Sequence, residues 1–141
     1  MWRIDQVCFD EGIAFSPDIF FYHLLIKTDP AFVAVEGRKI VAFILTARER
    51  NNSGQIVTID VLPAHRKRGI GRKLMELAEN SLSEAGVKTI KLQSAVDNSV
   101  AISFYKKLDY TQKGLLKNYY GNSGDAFLFT KELSGGLYDE G

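Results

Sequence analysis

The order of apolar and polar positions divides the chain into elements. From Gly69 onward, Ile70, Leu74, Leu77, Ala78, Leu82 and Ala85 fall on one helical stripe, and Gly86 is a natural terminator. A second stripe, Ala101, Phe104, Tyr105 and Leu108 at i, i+3, i+4 and i+7, predicts a helix after Asp97 and Asn98. Runs rich in β-branched and aromatic residues, bounded by turn formers, predict strands at about 31–35, 40–47, 55–62, 89–94, 111–117 and 126–132. Near the start, Ile4, Val7 and Cys8 share a helical face within about 2–9. Ser16, Pro17 and Asp18 read as cap, first-turn proline and first-turn acid of a helix to about Lys27, with Phe20, Phe21, Leu24 and Leu25 apolar and Asp29-Pro30 stopping it. The predicted order is helix, helix, three strands, helix, strand, helix, two strands. That is an α/β (α+β) chain with a single sheet layer and helices packed on it. Residues 1–133 read as one domain and 134–141 as a loose tail.

Composition narrows the function. The chain has 141 residues, 45% hydrophobic and 25% charged, ordinary for one globular domain. No apolar run nears the ~20 residues of a membrane span, so no membrane partner is expected. Cys8 is the single cysteine and reads as a small core residue. With His23 (read as a surface or interface residue on its helix) and His65 (part of a basic loop), it leaves no zinc spacing, and no metal is expected. No secretory signal pattern is visible, and a reduced, cytoplasmic setting is the expectation. The net charge of +1 disfavours a broad polyanion footprint. The charge is uneven, however. Residues 64–73 hold Arg66, Lys67, Arg68, Arg72 and Lys73 and no acid, leaving −4 for the remainder.

That basic segment lies between a strand ending at Leu62 and a helix beginning near Gly69. Unpaired N–H groups and the dipole at a helix start favour phosphate, and glycine admits close approach of a ligand to the backbone. A lone Gly-x-Gly also fits a simple turn with a solvated basic face. Neither a nucleotide P-loop motif nor a full Gly-x-Gly-x-x-Gly is present.

Arg66-x-x-Gly69-x-Gly71, after a strand ending Val61-Leu62-Pro63, resembles the acyl-CoA pyrophosphate motif of the GNAT N-acetyltransferase superfamily. Asn98, Ala101, Tyr105 and Asp109-Tyr110 resemble its downstream motif, Asn-x-x-Ala-x-x-x-Tyr-x-x-x-Gly-Phe. Lys117-Asn118-Tyr119-Tyr120, followed by Gly124-Asp125-Ala126, is similar to the subgroup that acetylates protein N-termini, including ribosomal-protein alanine N-acetyltransferases. The matches span about 32–133.

The resemblance implies a GNAT fold: a mixed, mostly antiparallel sheet with splayed central strands flanked by helices. The family's first strand would be missing, leaving a neighbouring strand edge open. It implies acetyl-CoA as donor. Val61 and Leu62 would bind the pantetheine through main-chain groups, with an amide near Val61 polarising the thioester. Arg66, Lys67, Arg68, Gly69, Ile70, Gly71 and Arg72 would surround the pyrophosphate. Asn98 would reach the pantetheine or position its helix, and a plain helix cap is the other reading. Tyr105 would protonate the leaving thiolate, against the alternative of a mere core residue.

Gln93 stands where the N-terminal acetyltransferases often carry a basic Glu or His. An amide cannot take a proton, so Gln93 could at most hold a water, and Asp60, Tyr119 or Tyr120 could relay the proton instead. Tyr119 and Tyr120 would flank the peptide, or simply pack on the core, and Phe15 would lie on the other wall of the groove. The implied reaction is direct attack by a protein or peptide N-terminal α-amine in a ternary complex. A small amine, a lysine side chain or a non-catalytic acyl-CoA module are the alternatives, in a monomer or homodimer. Nucleic-acid binding through 65–73 is disfavoured, because no aromatics interleave with the basic residues.

Overall fold

A computed structural model describes residues 4–7, 19–26, 29–121 and 124–133. In chain order they form strands β1 (Ile4–Val7), β2 (Ile19–Ile26), β3 (Asp29–Glu36), β4 (Lys39–Glu49) and β5 (Ser53–Val61). Helix α1 (Ile70–Glu84), strand β6 (Thr89–Ala95), helix α2 (Ser99–Lys107) and strands β7 (Thr111–Leu116) and β8 (Ala126–Glu132) follow. The strands make one sheet in the order β1-β2-β3-β4-β5-β6-β8-β7. Every neighbouring pair is antiparallel except β5 and β6.

Alternation along the strands sorts side chains onto two faces. Ile19 and Phe21, Phe32 and Ala34, Ala42 and Ile44, Ile56, Ile90 and Leu92, and Phe129 make the core face. Helix α1 lays Ile70, Leu74, Met75, Ala78 and Leu82 on it. The turns follow from local chemistry. Asn51 and Asn52, both at positive φ, join β4 to β5, the conformation that favours asparagine in tight hairpins. Gly37, also at positive φ, turns β3 into β4.

Every element predicted between 31 and 133 has the expected type, with shifts of a few residues at the ends, and the tail at 134–141 lies outside the described residues. The front differs. The helices expected at 2–9 and 16–27 are absent from the described residues, where β1 and β2 stand instead. The cap at Ser16-Pro17-Asp18, and Cys8, lie outside the described residues. The stretch Ile-Phe-Phe-Tyr-His-Leu-Leu-Ile is apolar on both faces, so it carries no clean period of two. Its Phe20, Phe21, Leu24 and Leu25 satisfy a helical spacing equally well. Its β-branched and aromatic residues favour the strand, and pairing across eight positions of β3 realises it. The strand edge expected to be open is therefore covered by β2 and then β1. Asp29-Pro30, expected as a stop, opens β3, where a proline at the strand start is tolerated. His23, expected on a helix, stands on β2 with its ring stacked on Phe32 at 4.7 Å.

Candidate active site

The sheet parts at its middle. β5 and β6 pair only at Ser53–Thr89, Gly54–Ile90 and Gln55–Lys91, although β5 continues to Val61 and β6 to Ala95. An irregularity opposite Leu45 and Thr46 leaves Val57 as an extra residue on β5, bending that strand away. The Leu62 N–H donates to the Val41 carbonyl at 2.9 Å. By strand alternation, the N–H and C=O of Val61 then point away from β4, into the gap. Leu62 cannot offer its backbone in the same way, because its carbonyl also accepts from the His65 N–H at 2.8 Å. Of the two residues expected to offer main-chain groups from this strand end, Val61 faces the gap, while the Leu62 N–H and carbonyl hold bonds within the protein. The Val61 carbonyl accepts from Arg66 Nε at 3.0 Å.

The basic loop emerges from this strand end. Pro63–His65 form a single 3-10 turn. Arg66 is then extended, Lys67 has φ +65° and Gly69 has φ +83°. Left-handed Gly69 followed by the right-handed first turn of α1 curls successive N–H groups toward one side, an anion-binding concavity. Gly69 caps α1 without a side-chain hydrogen bond, and the first turn holds no acid. The first helical bond runs from the Lys73 N–H to the Gly69 carbonyl at 3.0 Å. The amides of Gly69, Ile70, Gly71 and Arg72 therefore have no partner within the helix.

Gly71 has a packing reason as well. A Cβ there would sit 3.3 Å from the Phe104 ring and 3.7 Å from Val61 Cγ2, so the bare backbone lets α1 approach α2 closely. His65, assigned simply to the basic loop, bonds Glu36 at 2.7 Å, and Arg68 lies 3.8 Å from the same carboxylate. These contacts tie the loop to the β3–β4 hairpin.

Helix α2 turns Tyr105 into the core. Asn98 caps the helix, its Oδ1 accepting from the Ala101 N–H at 3.1 Å. Tyr105 is buried at 8% exposure and packs edge-on against Phe104, with Tyr110 and Phe129 also near its ring. Burial first, then the neighbouring Tyr120 and Asp60, push its phenol up to about 12. Tyr105, on α2, thus feels charges from Asp60 on β5 and from Tyr120 in the β7–β8 connection. Tyr120 is itself raised, by burial and by Tyr119. Tyr119 and Tyr120 form an edge-to-face pair at 4.9 Å, and at 46% and 41% exposure they stand out from the core. Gln93, on β6, joins this group, because the Tyr119 hydroxyl donates to its Oε1 at 3.3 Å. Phe15 lies outside the described residues.

Two features escape a reading of the chain. Gln55 Nε2 donates to Gln93 Oε1 at 2.9 Å, bridging the strands where they begin to part. Behind Tyr105, the Tyr110 hydroxyl donates to Glu79 at 2.8 Å, and Lys131 pairs with the same carboxylate at 2.9 Å. Burial, and then Glu79, raise the Tyr110 phenol far above its ordinary range. No cluster of three metal-ligating side chains occurs among the described residues, and no described helix is long and apolar enough to cross a membrane.

Comparison with known proteins agrees with this geometry. The family model for the acetyltransferase (GNAT) family matches residues 1–110. An N-alpha-acetyltransferase of Sulfurisphaera tokodaii is 30% identical over 130 residues, covering 83% of this chain and 78% of that protein. The ribosomal-protein-S18-alanine N-acetyltransferase of Escherichia coli superposes with a TM-score of 0.65 at 28% identity, over 74% of this chain and 68% of that one. The NatC complex, solved with Gag peptide and CoA, contains a chain that superposes at 0.67 and 27% identity, over 74% and 71%. With a parted β5–β6 pair, an uncapped basic helix start and a family match over most of its length, the chain belongs to the GNAT family of acetyltransferases.

Proposed function

We propose that the chain transfers the acetyl group of acetyl-CoA to the α-amine of a protein or peptide N-terminus, by direct attack within a ternary complex. The observation that carries this reading is the short β5–β6 pairing, which leaves Val61 facing a gap beside an uncapped, acid-free helix start, with Tyr105 buried on α2. The resemblance of the Tyr119-Tyr120 segment to N-terminal acetyltransferases, and the relatives named for that activity, support the choice of acceptor. Residues 1–133 act as one catalytic domain.

The residues present fit a pyrophosphate. The free amides from Gly69 to Arg72 donate to its oxygens, and Lys67, Arg68 and Arg72 supply charge. The Val61 N–H donates to the thioester carbonyl and stabilises the charge that grows there. Tyr105 holds its proton throughout the working range, because its phenol titrates at about 12. It gives that proton to the sulfur as the C–S bond breaks, and regains one from solvent. An α-amine titrates at about 7.7–8.0, so a useful fraction arrives neutral at pH 7 without a strong base. Asp60, whose charge bears on the Tyr105 phenol, accepts the proton released after attack in this proposal. Tyr119 and Tyr120 flank the peptide.

The test is acetylation of a peptide panel varied at the first residue. Transfer to at least one N-terminus, with free polyamines and internal lysines unmodified, is expected. Transfer to polyamines alone would replace the acceptor.

A further inference from the structure

The last rung before the strands part carries a junction that none of these roles uses. Gln55 pairs with Lys91 there, which puts its side chain on the face of Gln93, two residues along β6. Gln93 Oε1 accepts twice, from Gln55 Nε2 at 2.9 Å and from the Tyr119 hydroxyl at 3.3 Å. A carboxamide is a plane with an acceptor on one arm and two donors on the other. Its last torsion is broad and roughly two-fold, so nothing intrinsic decides which arm faces a ligand. As Gln55 and Tyr119 stand, both donate to Oε1, which leaves Nε2 over for a ligand. Among the described residues, none accepts from Gln93 Nε2.

Resting on the peptide-acceptor reading above, we propose that Gln55 is a positioning residue for the acceptor: it orients the Gln93 carboxamide so that Nε2–H donates to a carbonyl oxygen of the incoming peptide. Gln93 then serves the acceptor as a hydrogen-bond donor, and the absence of a base at this position follows from that duty. Gln55 acts through Gln93 and touches no reacting atom.

Steady-state kinetics on the full chain, with its best peptide, tests this. Gln55→Met keeps the length of the stem and removes the donor. The expected result is a peptide KM raised about fivefold, the scale of one lost hydrogen bond, with kcat and acetyl-CoA KM within about twofold. Gln55→Lys restores a donor and should return peptide KM to within about twofold of the parent. Gln55→Glu sets an acceptor against Oε1, turns the carboxamide over and should raise peptide KM more than Gln55→Met does. An unchanged peptide KM in Gln55→Met overturns the proposal, and so does a rise in both KM values together, which would mean that Gln55 only holds the sheet. A parent protein that binds acetyl-CoA yet acetylates no peptide removes the acceptor reading, and the role of Gln55 with it. That outcome is distinct from peptide turnover indifferent to Gln55.

Discussion

The two helices of this chain begin in opposite ways. α2 is closed by its own side chain, with Asn98 Oδ1 on the Ala101 amide. α1 begins at a left-handed Gly69 with no side-chain cap and no acid in its first turn. A glycine start forgoes only about a few tenths of a kcal/mol relative to a capping side chain. α1 can bear that because Ile70, Leu74, Met75 and Ala78 are all buried beneath it, whereas α2 fully buries only Tyr105. The helix held by packing leaves its terminal amides to a ligand. The helix with little packing uses its own cap and carries Tyr105, the proposed acid. Binding and proton transfer should therefore fail separately.

The largest effects should show that separation. Tyr105→Phe should lower kcat about 100-fold, the lower end for loss of a general acid, while acetyl-CoA affinity by calorimetry stays within about twofold. Comparable rates would return Tyr105 to the core. The same phenol gives a pH test on stability. It titrates at about 12 when folded and near ~10 when unfolded, so the unfolded chain loses its proton first. Its contribution is complete below pH ~10 and disappears as pH rises toward ~12. Denaturant midpoints should fall across that window, and less steeply in Tyr105→Phe.

For α1, Gly69→Asp and Gly69→Asn make the matched pair. A Cβ at Gly69 meets no atom within 4 Å, and Asn and Asp both tolerate its positive φ. Adding one negative charge beside a pyrophosphate should weaken acetyl-CoA about 100-fold for Asp relative to Asn, without changing the acid chemistry. Equal affinities of the two variants would mean that the phosphates lie elsewhere.

How much was legible in the sequence follows the same division. The α1 stripe and the turn at Gly69 could be read because one face of the helix is apolar and glycine marks the left-handed start. β2 could not, because Ile19–Ile26 is apolar on both faces and pairing with β3 decided its type. The Tyr105, Asp60 and Tyr120 grouping needed the family pattern, since three separate elements supply it. Gln55 was invisible, because its meaning comes from the strand register that sets it beside a residue 38 positions away. The difference between Val61 and Leu62 was hidden for a related reason. Alternation fixes which of two adjacent residues faces the gap, and that phase depends on the pairing with β4.

A smaller effect should separate the two readings of Asn98. Asn98→Ala removes the cap and should cost about 1 kcal/mol, roughly 4 °C in Tm for a domain of this size, measured by calorimetric melting. Asn98→Ser keeps a capping oxygen and should melt near the parent. If acetyl-CoA affinity falls in both variants, the side chain reaches the pantetheine. If it falls in neither, capping is its whole work.

The other end of α2 supplies the smallest effect. The Tyr110 N–H donates to the Tyr105 carbonyl and the Asp109 N–H to that of Lys106, the paired bonds of a Schellman stop. That stop needs a left-handed residue, normally glycine, and here Asp109 takes it at φ +73°. The turn persists because the next residue is anchored, with the Tyr110 hydroxyl on Glu79 and Lys131 over its ring. Asp109→Gly relieves the left-handed strain but frees the unfolded chain, so a net gain of about 0.5 kcal/mol is expected from denaturant unfolding. In Tyr110→Phe, which lacks the hydroxyl anchor, the same substitution should gain more, because the strained turn then has less to hold it. Equal gains in the two backgrounds would show that the turn and the Glu79 anchor act independently.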